Sequence, residues 1–107
     1  MNIVSIEIKN HKKRAFISEY IATAVDSDML LYFREQKVFT SLNSSASSLW
    51  KIMERYINSN RILTEGEIYN ALSASFPDLT SEKAAEAMLS FCDQLASAGV
   101  LKWEERT

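Results

Sequence analysis

One histidine and one cysteine set narrow limits on the chemistry this chain could carry. His11 lies in the run Asn10–Arg14 (NHKKR). Three cations beside an imidazole suggest an anion-binding patch or, with fewer assumptions, a solvated turn. Cys92 falls in the apolar stretch AMLSFCDQLA and reads as a small core residue, not a nucleophile. A Cys/His metal cluster needs more ligands than one of each. A Ser-His-Asp triad could use only His11, and no nucleophile elbow is marked. The serines of Ser41–Ser48 (SLNSSASS) look nucleophile-rich, but helix capping accounts for them. With two glycines in the chain there is no Gly-rich phosphate loop. Glu65, Glu67, Asp78 and Glu82 sit near expected helix starts, where the dipole favours carboxylates. No catalytic constellation, metal site or cofactor is expected, and a binding module is favoured over an enzyme.

The bulk properties agree. A chain of 107 residues fits one domain and should bury roughly two-thirds of its unfolded surface. The net charge of -2 argues against affinity won by neutralising phosphates, so no nucleic acid is expected as partner. A lone cysteine fits a reducing compartment. The start, MNIVSIEIKNHKKR, lacks the pattern of a secretory signal, and no apolar run approaches the ~20 residues of a membrane span. A soluble, cytoplasmic protein with no membrane partner is the expectation.

The stretch that organises the chain is Lys37–Trp50 (KVFTSLNSSASSLW). Lys37–Leu42 reads as a strand. Asn43 and Ser44 can cap a helix start. Ala46, Leu49, Trp50, Met53 and Ile57 then recur at helical spacing. A strand that runs this directly into a helix suits an edge strand, and an edge strand is a docking surface. Upstream, Val4, Ile6 and Ile8 alternate in a strand over residues 3–8, Asn10–Arg14 reads as a turn, and Ala15–Glu19 has no clear pattern. Tyr20–Val25 and Met29–Phe33 read as strands joined by the turn Asp26-Ser27-Asp28. With Lys37–Leu42 they make an antiparallel meander.

The remainder reads as helical. A first helix covers about 44–58 and is broken by Asn58–Arg61. Thr64 and Glu67 form a capping box for a second, about 65–75, ended before Pro77. Thr80 or Ser81 caps a third, about 82–98, closed by Gly99. Val100, Leu101 and Trp103 form an apolar tail. On the third helix Ala84, Met88, Cys92 and Leu95 centre one face, with Ala85, Leu89 and Ala96 on one flank and Ala87 and Phe91 on the other. That arc spans roughly 200°, wider than a surface helix needs. Either the helix packs on both sheet and helices, or one flank stays open as half of a peptide groove.

Leu42-Asn43, Ala46 and Leu49-Trp50 resemble the LN…A…W signature of PqqD-like proteins. Phe91, Cys92, Leu95, Gly99, Val100 and Leu101 resemble that family's ending in spacing, and the similarity spans about residues 20–103. The resemblance implies an α+β, winged-helix-like fold, a three-stranded antiparallel sheet followed by a three-helix bundle. It implies residues 1–19 as an N-terminal extension with an extra strand, and residues 20–107 as the peptide-recognition domain. It implies a non-catalytic element that binds the leader of a ribosomally made precursor peptide. The leader adds as a strand and is delivered to a modifying enzyme or leader peptidase. Lasso peptides, radical-enzyme products and quinone cofactor precursors use such domains.

The peptide-binding positions implied are Lys37, Val38, Phe39, Thr40, Ser41 and Leu42 on the strand edge, with Ala84, Ala85, Met88, Leu89 and Cys92 on the third helix. Phe39 should face away from Val38 and Thr40. The oligomeric state stays open, with the N-terminal extension as one route to a dimer. The alternative is a winged-helix DNA-binding regulator, which the acidic balance disfavours.

Overall fold

The computed structural model describes residues 2–26 and 28–104. It is a mixed α+β structure with two sheets and three helices among the described residues. In chain order these are β1 (Asn2–Ile8), β2 (His11–Ile17), β3 (Tyr20–Val25), β4 (Asp28–Phe33), β5 (Val38–Leu42), α1 (Ser44–Glu54), β6 (Ile62–Thr64), α2 (Glu65–Ser73), α3 (Ser81–Ser97) and β7 (Leu101–Trp103).

The expected meander is present. Strands β3, β4 and β5 pair antiparallel in that order. Met29, Leu31 and Phe33 of β4 alternate into the core, while Leu30 and Tyr32 point outward. The turn into β4 begins at Asp26, whose φ is +57°; Ser27 of the expected turn lies outside the described residues.

Of the second sheet, only β1 was legible in the sequence, as the strand expected over residues 3–8. It runs β6-β1-β2-β7, so the strands do not simply precede the helices: β6 stands between α1 and α2, and β7 follows α3. Asn10–Arg14 is not one turn. The turn is only Lys9 and Asn10, both at positive φ (+53° and +63°), the geometry of a two-residue type I′ hairpin. His11–Arg14 therefore belongs to β2, which also takes in Ala15–Ile17. Val4, Ile6 and Ile8 of β1 and Ala15 and Ile17 of β2 are buried on one face. Residues 2–17 thus supply part of the core, and β1 pairs in parallel with β6 while β2 pairs with β7.

Helix α1 ends at Glu54, four residues before the expected stop. Asn58 shows why. Its N–H donates to the carbonyl of Ile3 at 2.7 Å, and its Oδ1 accepts from the Ile3 N–H at 2.9 Å. With φ at +57°, a conformation that Asn tolerates better than most residues, it turns the chain back to lie beside β1. The caps match the reading. Asn43, Thr64 and Thr80 accept from the N–H groups of Ala46, Glu67 and Lys83, and Gly99 closes α3 at φ +80°. The core centres on Trp50, Met53, Ile68, Met88 and Leu95, all almost fully buried. No helix is long and apolar enough to cross a membrane.

Candidate functional site, an open strand edge

Strand β5 borders its sheet: β4 lies on one side, and no strand lies on the other among the described residues. Only Asn43 separates it from α1. The junction is fastened by Ser47, a buried hydroxyl on the first turn of α1 that donates to the carbonyl of Leu42 at 3.1 Å. The Asn43 side chain caps the same turn at 2.9 Å. Leu42 is buried, and Trp50 on α1 lies completely within the core, with the Tyr20 ring edge-on to it at 4.9 Å. One end of the edge strand is therefore held rigidly by a helix packed on β4 and β5.

Alternation along β5 divides its side chains. Phe39 lies on the face opposite Val38 and Thr40, as expected, and the structure decides which set faces in: Val38, Thr40 and Leu42 turn toward the bundle, Phe39 and Ser41 away. Phe39 is 67% exposed. It lies opposite Tyr32 on β4, their rings stacked 4.5 Å apart, and Tyr32 lies opposite Ile21 on β3, itself 53% exposed. Ile21, Tyr32 and Phe39 thus form one apolar row across the outer face. The sequence reading passed over Ile21 and Tyr32 as functional candidates. The two-residue alternation of these strands, combined with their pairing register, is the signal that could have found them.

The other expected positions are distributed differently. Lys37 is not in the strand. It closes the turn after β4 at φ +56°, its N–H donating to the carbonyl of Arg34. On α3, Ala84, Ala85, Met88 and Cys92 have no exposed surface at all. The face read as a candidate half-groove is core, because α2 and β7 pack on this helix. Of that set only Leu89 reaches the surface, and it lines a cleft with β1, β2 and β7, not with β5. The structure gathers the β5 positions at one edge and does not bring the α3 positions to it.

The single cysteine is not a reactive group. Cys92 is buried, its Sγ 3.8 Å from Met53 Sδ, and burial followed by the charge of Asp93 pushes its thiol up to about 12. Such a thiol stays protonated and unreactive. No group of three or more His, Cys, Asp or Glu residues is placed to hold a metal among the described residues. What the edge can do is bind: main-chain groups for a ladder, and an apolar row beside them.

Comparison with known proteins places this geometry. The family model described as coenzyme PQQ synthesis protein D (PqqD) matches residues 28–101. A solved structure, TbiB1 in complex with the TbiA(beta) leader peptide, is similar in fold, with a TM-score of 0.65 and 19% sequence identity. The match covers 84% of this chain and 98% of that one. No curated protein matches the sequence.

Proposed function

The chain belongs to the PqqD family, and on that premise we propose that it is a non-catalytic recognition element for the leader segment of a ribosomally synthesised precursor peptide. The observation that carries the reading is the open β5 edge inside the family-matched segment, anchored by Ser47 and Asn43 and flanked by the exposed Phe39. An extended leader adds to β5 as a fourth strand. Main-chain hydrogen bonds supply affinity and alternate side chains supply selectivity. The TbiB1 structure, a fold relative holding a leader peptide, supports the same occupant.

In this reading the β3-β4-β5 sheet serves as a wing on the helices, giving the winged-helix-like arrangement within residues 20–107. The leader contacts the strand through Val38, Phe39, Thr40, Ser41 and Leu42, and the turn before it through Lys37. A contact from α3 falls to Leu89 in this conformation. Ala84, Ala85, Met88 and Cys92 take part only if the bundle opens. The protein then delivers the leader to a modifying enzyme or leader peptidase in the cytoplasm.

The test is fluorescence anisotropy with a labelled leader from a short reading frame beside the gene. Saturable binding at micromolar strength or tighter, about -8 kcal/mol or more favourable, is expected. Successive N–H groups along a strand point to opposite sides, so of Phe39→Pro and Thr40→Pro one removes an outward donor and the other a bond to β4. A folded pair of variants with unchanged affinity sinks strand addition at β5.

A further inference from the structure

A cleft opens beside the β1–β2 hairpin of the other sheet. The inner face of the β1–β2 hairpin is core on both strands at the pair Val4 and Ala15, and on β1 it stays buried to Ile8. Beyond them the same face continues through Ile6 and Ile8 on β1, but through Lys13 and His11 on β2, their direct partners. Strand partners share a face, so a lysine and a histidine occupy positions where the pattern calls for apolar residues. Helix α3 does not cover them: both are exposed. Instead a cleft of about 320 Å³ opens there, lined by Ile6, Ile8, Leu89, Trp103, Lys9, Lys13 and His11. Its floor is aliphatic and its wall is the Trp103 ring. The Lys13 ammonium stands 5.5 Å from the centre of that ring, within the range of a cation–π contact.

The Glu65 carboxylate accepts from the main-chain N–H of Lys9, but the lysine side chains of this rim lack an ion pair among the described residues. On the outer face of the hairpin Lys12 lies opposite Glu7 and Arg14 pairs with Glu104. On the inner face no ion pair joins Lys9, His11 or Lys13 to a carboxylate among the described residues. In a protein of net charge -2, unpaired lysines converging on an apolar cleft are a local reversal of sign. All the lining residues except Leu89 lie outside the segment that the family model matches.

We propose that this cleft is a second peptide-docking site. It takes one large apolar side chain flanked by carboxylates, from an acidic segment of a partner protein. The apolar side chain displaces water from the partly exposed Leu89 and Trp103 over the buried Ile6 and Ile8, while the flanking carboxylates meet Lys9 and Lys13. The volume lies at the small end of ligand pockets, enough for one side chain and not for a folded element. The site is separate from the β5 edge and does not depend on how that edge is used.

The experiment is a titration followed by methyl and indole NMR signals of the labelled protein. Three capped pentapeptides serve as probes: Glu-Glu-Leu-Glu-Glu, Glu-Glu-Ser-Glu-Glu and Lys-Lys-Leu-Lys-Lys. The first should shift Ile6, Ile8, Leu89 and Trp103 saturably; the other two should not. Lys13→Glu, an exposed change whose spectrum otherwise stays native, should weaken the first peptide at least tenfold and admit the third. Silence at the four residues overturns the proposal. So does equal binding of the serine peptide, which would mean charge alone, or indifference to Lys13→Glu.

Discussion

The hydroxyl of Tyr20, at the start of β3, donates to the carboxylate of Glu54, on the last turn of α1, at 2.8 Å. The Tyr20 ring stands at 86° to Trp50. This pair joins the first strand of the meander to the helix that follows the last. Burial, then the hydrogen bond and charge of Glu54, raises the Tyr20 pKa well above the ordinary phenol value. A raised pKa means that the folded state holds the proton more tightly than the unfolded chain. The contribution is complete below the unfolded pKa of about 10 and is lost as pH rises above it. Absorbance titration of the wild type against Tyr20→Phe should show Tyr20 ionising only with unfolding. Tyr20→Phe should lose about 0.5–1.5 kcal/mol near neutral pH and flatten the alkaline fall in stability. An unchanged alkaline limb in this variant would refute the assignment.

Phe39 and Trp50 test function against fold. Phe39→Ser removes an exposed ring stacked only on Tyr32. The melting temperature should move by a few degrees at most, while leader affinity drops about tenfold. Trp50→Ala empties a fully buried site and should cost about 3–5 kcal/mol, enough to unfold much of the protein at 37 °C. Thermal melts and anisotropy on both variants separate the two roles.

Cys92 should ignore a thiol reagent in the native protein and react fully in denaturant, because its thiol is both buried and held protonated. Reaction should follow global opening, so destabilising variants such as Asn43→Ala, expected to lose about 1 kcal/mol of helix capping, should speed it. Prompt labelling of the native wild type would contradict the packing of α3 on Met53.

Removing residues 1–19 should abolish cooperative folding. The deletion strips Val4, Ile6, Ile8, Ala15 and Ile17 from the core and leaves β6 and β7 without partners. A truncated chain that melts sharply near the wild-type temperature would show that the second sheet is dispensable.

Sequence alone determined the parts whose signal is local. The meander follows from compact apolar runs such as Met29–Phe33 and from the short turns between them. The helix starts follow from Asn43, Thr64 and Thr80, and the opposition of Phe39 to Val38 and Thr40 follows from strand alternation. Only the tertiary structure decided the second sheet beyond β1. Ile62–Thr64 and Leu101–Trp103 are three residues each, too short to display a period, and they become strands because β1 and β2 offer them edges far away in the chain. The same holds for α3. Its wide apolar arc was readable, but whether a flank stayed open depended on what packed against it. Burial is a property of pairs of surfaces, and the sequence of one helix contains only one of them.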